Sequence, residues 1–184
     1  MARRTLLGHL DYHPFYCEEN VWRLNRSGLF RRRERWVVFI FSPSGACPLF
    51  GQKAAAAGEP VFWDYHVVLM AFEDGETWVW DLDSTHGAPS RGSVWFSVTM
   101  PQLESLPQGY HPRFRVIEGQ VFDEVFSSDR SHMRDAGGGF FKDPPPWPAP
   151  FQPERGMNLM EFAVSGSAAP GEELSWAQFV DRIS

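Results

Sequence analysis

Cys17 stands between an aromatic pair and two glutamates in the stretch HPFYCEENVW. Glu18 and Glu19 suit the first turn of a helix, where acidic side chains complement the positive end of the helix dipole, so a helix start near Cys17 is predicted. Free backbone N–H groups at such a start stabilise thiolate, the reactive form of cysteine. The two glutamate charges oppose it, and a basic partner is needed. His66, in VFWDYHVVL, can take a thiol proton and later deliver it to a leaving group. For that it needs a carboxylate to fix its tautomer and stabilise its charged form. Asp81 and Asp83, in DLDS, are the candidates.

Each of these residues also has a plain structural reading: a small core thiol, a hydrogen-bonded strand histidine, a solvated strand end. Only their combination points to nucleophilic catalysis. A metal site using Cys17, His13 or His66 and an aspartate is the competing chemistry. The close ligand pairs typical of zinc, such as CxxC or HExxH, are missing from the sequence, so no metal is expected. Cys47, in GACPLF, has no base near it in sequence and is read as packing.

The elements that must bring these groups together centre on residues 61–84. Asp74-Gly75 between two β-rich runs predicts a two-residue hairpin turn. Pairing outward from it sets Glu73 against Glu76, Ala71 against Trp78, Leu69 against Trp80 and Val67 against Leu82, which gathers the large apolar residues on one face. The other face carries Asp64, His66, Val68, Met70, Thr77, Val79, Asp81 and Asp83. In that register His66 faces Asp83 directly and Asp81 diagonally. Elsewhere, 36–42 (WVVFIFS) reads as a strand buried on both faces, 92–99 and 113–117 as short strands, 119–127 as helical, 137–153 as an irregular crossing loop and 173–183 as a C-terminal helix.

With 184 residues, 43% of them hydrophobic, the chain can form one domain with a sizeable core. The expectation is a single catalytic domain over 1–184, with residues 1–12 as a flexible N-terminus. A net charge of −6 argues against a nucleic-acid partner. The basic cluster Arg31 to Arg35 reads as a solvated turn before a strand. Two cysteines are too few for a disulfide framework, and no apolar run reaches the length of a membrane span, so a cytosolic protein is expected.

The strings FYCEENVWRL, PLFGQKA, PVFWDYHVVL, WVWDLDS, FRVI, FSSDRSHM, PPPWP and MNLMEF, in this order, resemble the protein N-terminal glutamine amidohydrolase family. The resemblance runs from about His13 to Phe162. It implies an α/β (α+β) domain with an antiparallel sheet and a papain-like or transglutaminase-like core. It further implies hydrolysis of the side-chain amide of an N-terminal glutamine, a step of the N-degron pathway, by a monomer without cofactor, in the cytosol or, in a eukaryote, also the nucleus. The family's nucleophile falls on Cys17, its histidine on His66 and its aspartate on Asp81, where the hairpin register alone favours Asp83. Two departures stand out: Phe50 replaces an expected tryptophan, and STHGAPSRG lacks an expected Pro-Phe-rich continuation.

Selectivity for a terminus requires an acceptor for the substrate α-ammonium, since a buried cation is costly without one. Glu19 and Asp129 are the candidates, with Trp63 as an aromatic wall. Asp129 also has a structural reading, as a turn residue paired with Arg130. Transglutaminase-like acyl transfer, peptide cleavage and a non-catalytic peptide-binding module are the alternatives.

Overall fold

The computed structural model describes residues 10–30 and 33–184. Most of the expected flexible N-terminus, and Arg31 and Arg32 of the basic cluster, lie outside them. Leu10 and Tyr12 pack against the core.

Six strands form one antiparallel sheet: β1 (Arg35–Phe41), β4 (Tyr65–Glu73), β5 (Glu76–Trp80), β6 (Ser90–Arg91), β7 (Arg113–Glu118) and β8 (Glu172–Ser175), in the order β6-β5-β4-β1-β7-β8. Strands β2 (Cys47–Leu49) and β3 (Val61–Trp63) pair separately. The fold is α+β, as expected. The apolar run at 36–41 becomes the inner strand β1, flanked on both sides by neighbours and buried on both faces.

Strand alternation divides the core in two. Val37, Phe39, Val67, Leu69, Ala71, Trp80 and Ile117 point to one side, where they meet helices α1 (Cys17–Arg26), α3 (Gly119–Val125) and α4 (Leu159–Phe162). Val38, Ile40, Val68, Met70, Val79, Phe114 and Val116 point to the other, toward α2 (Gly92–Thr99) and α5 (Trp176–Ile183). The sheet is thus covered on both faces. Among the described residues no helix is long and apolar enough to cross a membrane.

The β4–β5 turn is at Asp74-Gly75, both with positive φ (54° and 80°), as a two-residue hairpin of this kind demands. Its register matches the expected one from Glu73↔Glu76 to Leu69↔Trp80. There the ladder stops, and the chain turns at residues 82–83 instead of continuing opposite Val67 and His66.

Two expected elements differ. Residues 92–99 are helix α2, not a strand: Gly92, Trp95 and Thr99 form its buried stripe, and Gly92 lies so close to Ile183 that a Cβ there would fall 2.9 Å from the isoleucine Cβ. The expected C-terminal helix begins later, because residues 172–175 pair with 113–116. Ser175 and Gln178 then form a capping box that fixes the start of α5 at Trp176.

Candidate active site

Cys17 is the first residue of α1, and no side chain caps that helix start. The approach is sharply bent, with Phe15 at φ 68°, a conformation that costs a non-glycine residue stability unless its surroundings enforce it. Asn20 enforces it. Its amide oxygen accepts from the His13 N–H and its amide nitrogen donates to the His13 carbonyl, both at 2.8 Å. One buried side chain therefore clamps the incoming loop to the first turn of the helix.

The second clamp is electrostatic. Arg130 donates from Nε to Glu19 Oε1 at 2.6 Å and from its terminal nitrogen to Oε2 at 2.7 Å, while Trp147 Nε1 donates to the same Oε2 at 2.8 Å. Glu19 is completely buried and its carboxylate is fully occupied. Glu19 thereby anchors α1 to Arg130, and the pairing read for Asp129 and Arg130 is not formed. Asp129 is exposed and accepts the Ser131 N–H at 2.8 Å, leaving Arg130 free to turn inward.

His66 is the second residue of β4 and entirely buried. Its Nε2 lies 2.9 Å from Asp81 Oδ1, and its Nδ1 is buried without a hydrogen-bond partner. Asp81 Oδ2 accepts from Gln52 Nε2 at 3.0 Å and Trp95 Nε1 at 3.1 Å, and Oδ1 also accepts the Asp83 N–H at 3.1 Å. Burial alone would raise the Asp81 pKa. The His66 charge and the hydrogen bonds from His66, Trp95 and Gln52 overcome it and hold the carboxyl at about 2. Burial alone would lower His66, but the Asp81 charge and hydrogen bond outweigh it and the imidazole is raised above 6.5.

Asp83, the direct partner in the extrapolated register, takes another role. Its Oδ1 accepts from the Tyr12 hydroxyl at 2.7 Å, and burial pushes its carboxyl up. The early end of the β4–β5 ladder explains the difference, since Asp81 is freed from strand geometry and swings to the imidazole. His66, Asp81 and Asp83 offer ligand atoms within 4.8 Å of one another, a set of the size a metal ion could use. In this structure both Asp81 oxygens and Asp83 Oδ1 are engaged by N–H or O–H donors.

The Cys17 sulfur meets the start of β4. A hydrogen bond from the Val67 backbone favours its thiolate, whereas burial, then the charges of Glu18 and Asp83, raise the thiol well above its ordinary value. Asp83 and Glu18 also act on His66, so the thiol and imidazole share one electrostatic environment. Trp63 stacks on His66 with ring centroids 5.8 Å apart and planes at 15°, and Phe15 meets Trp63 edge-on at 6.2 Å. Cys47 is buried in the other half of the core, and burial pushes its thiol up to about 12.

The structure thus gathers Cys17, His66, Asp81 and Trp63. Sequence reasoning missed Asn20, Gln52, Trp95, Arg130 and Trp147 as supports. Gln52, Arg130 and Trp147 fall inside the strings PLFGQKA, FSSDRSHM and PPPWP that carry the resemblance, which was the signal available for them.

A family model described as N-terminal glutamine amidase matches residues 12–183. A protein of Danio rerio named protein N-terminal glutamine amidohydrolase is 35% identical, over 94% of this chain and 88% of its own length. Proteins of the same name from Homo sapiens and Arabidopsis thaliana are 32% and 35% identical, over 94% and 85% of this chain and 87% and 76% of theirs.

Proposed function

The chain belongs to the N-terminal glutamine amidase family, and from that premise we propose that it hydrolyses the side-chain amide of an N-terminal glutamine, with Cys17 as nucleophile, to give N-terminal glutamate and ammonia. The observation that carries the reading is the His66–Asp81 hydrogen bond through Nε2. It leaves Nδ1 as the working nitrogen, one residue from the Val67 backbone group that meets the Cys17 sulfur. A nucleophile at a helix start, facing a His on a strand and an Asp just past the end of the neighbouring strand, fits papain-like and transglutaminase-like cores, and we assign this core to that class.

Cys17 begins as a neutral thiol, because burial and the neighbouring carboxylates oppose its charge. His66 removes the thiol proton as the sulfur bonds to the side-chain amide carbon. Asp81, held anionic by its four hydrogen bonds, stabilises the resulting imidazolium. The carbonyl oxygen of the amide becomes an oxyanion and is met by the free N–H groups of the helix start, including that of Cys17. The C–N bond then breaks as the imidazolium protonates the departing nitrogen, and ammonia leaves a thioester behind. His66 next takes a proton from water, which attacks the thioester, and the proton passes to the departing sulfur. One water is consumed and one ammonia released. This chemistry uses no metal or organic cofactor.

The same reading takes residues 1–184 as one catalytic domain that works as a cytosolic monomer on Gln-starting proteins and peptides. The test is mass spectrometry of a Gln-starting peptide after incubation. The expected product is heavier by about one mass unit at residue one, as amide becomes acid by thioester hydrolysis. Backbone cleavage would indicate a peptidase, crosslinking to an added amine an acyltransferase, and an unchanged peptide a binding module.

A further inference from the structure

Glu18 and Glu19 are adjacent, both completely buried, and held very differently. Glu19 is neutralised by Arg130 and hydrogen-bonded by Trp147. Glu18 Oε1 is buried with no hydrogen-bond partner. Its nearest basic contact is His132 Nε2 at 3.5 Å, and its other oxygen lies 3.6 Å from the Cys17 sulfur. The Tyr65 hydroxyl borders both Glu18 and His132. A buried carboxylate left short of donors is a standing cost to stability, and here the cost falls beside the nucleophile.

The unmet groups around it have a pattern. Trp63 Nε1 is a buried donor without an acceptor, His66 Nδ1 is an unpartnered ring nitrogen, and Glu18 Oε1 is an acceptor without a donor. An N-terminal glutamine offers the complement: an amide oxygen for a donor, an amide nitrogen to be protonated, and an ammonium for a carboxylate. Of the other candidates for the ammonium, Glu19 is occupied and Asp129 is exposed and engaged by Ser131. Asp64 is exposed and accepts the Tyr65 N–H at 3.0 Å.

We propose that Glu18 accepts the α-ammonium of the substrate's first residue and thereby confines the reaction to chain termini. This rests on the proposed function above. On binding, the ammonium takes the place of His132, which is partly exposed, at Oε1. The ammonium's N–H donors then meet Glu18 Oε1, an oxygen that had no hydrogen-bond partner, in a charge-assisted contact within a desolvated site. The contact has a second effect. After burial, Glu18 is the strongest influence holding the Cys17 thiol protonated, and an ammonium on Glu18 cancels that influence. Recognition of the terminus and release of the nucleophile become one event.

The experiment compares the wild type with Glu18→Gln, Glu18→Asp and Asp64→Asn on two peptides of one sequence. One peptide starts with glutamine; the other starts with the same residue lacking only its α-amine (4-carbamoylbutanoyl). Wild type should prefer the amine by about 100-fold or more in kcat/KM, the scale of a desolvated charge contact. Glu18→Gln should erase that preference, so that the free-amine and amine-free peptides react with similar kcat/KM, and Glu18→Asp should restore part of it. Equal losses on both peptides would overturn the proposal, as would a preference erased by Asp64→Asn instead. Failure of the amidase reading is distinguishable, because it would appear as no ammonia from wild type on either peptide. In that event calorimetric titration of Cys17→Ala and Cys17→Ala/Glu18→Gln with free-amine and acetylated peptides decides. A free-amine preference present in the first and absent in the second supports the proposal, and no preference in the first overturns it.

Discussion

His66 and Asp81 meet at 2.9 Å although no strand ladder aligns them, because β5 ends at Trp80 and the aspartate is free to reach the imidazole. Asp81→Asn should lower kcat/KM by about 10³- to 10⁴-fold, since an amide there supports the wrong tautomer and no imidazolium. Asp83→Asn, which removes a nearby charge but no hydrogen bond to His66, should cost far less. Ammonia release by the two variants, assayed together, checks the ranking; a reversal would make Asp83 the working carboxylate.

Cys17→Ala and Cys17→Ser should abolish turnover with the fold intact. Cys47→Ala should stay active, as Cys47 packs in the opposite half of the core. Ammonia assays with thermal melting of each variant check this, and a dead Cys47 variant beside an active Cys17 variant would mean the nucleophile is misassigned.

The rate should climb with pH through a value above 6.5. Asp81 raises the pKa of His66, and below that value the ring is already protonated and cannot take the thiol proton. On the alkaline side kcat/KM should fall as the substrate α-ammonium, with an ordinary pKa of about 7.7–8.0, loses its charge. A pH profile of kcat/KM measures both limbs. An acid limb well below 6.5 would contradict the environment described for His66.

Arg130→Met should destabilise the protein by about 3–5 kcal/mol, because it leaves the buried Glu19 charge without its cation. Adding Glu19→Gln should recover part of the loss. Denaturant unfolding of the single and double variants tests the coupling, and simple additivity would show that the pair does not act as a unit.

Acetylating the α-amine of a Gln-starting peptide should remove activity, as should moving glutamine to position two. Comparable rates on free and acetylated peptides would identify a general glutamine deamidase instead.

The central features of the site were readable from local patterns. The acidic first turn announced the start of α1, and Asp74-Gly75 fixed the register that carries His66. What local patterns could not give was where the register ends. Asp83 was the better partner on an ideal ribbon, and only the turn at 82–83 makes Asp81 the actual one. The apolar residues of 92–99 satisfy a strand alternation as well as a helical stripe, and packing of Trp95 onto Asp81 and Phe179 goes with the helix. Glu18 and Glu19 look alike in sequence. Their different fates depend on Arg130 and Trp147, more than a hundred residues away.

That separation bears on how the protein is made. Arg130 and Trp147 join Glu19 across 111 and 128 residues of chain, so the segment bearing Cys17 leaves the ribosome long before its anchors do. Strands β1, β4 and β5 can pair in the meantime, but the carboxylate of Glu19 has no cation to bury against until residue 130 is available. Nascent chains stopped short of Arg130 should hold a hairpin and an undocked α1. Activity should arise late in synthesis, in one step, when the proline-rich loop closes over α1.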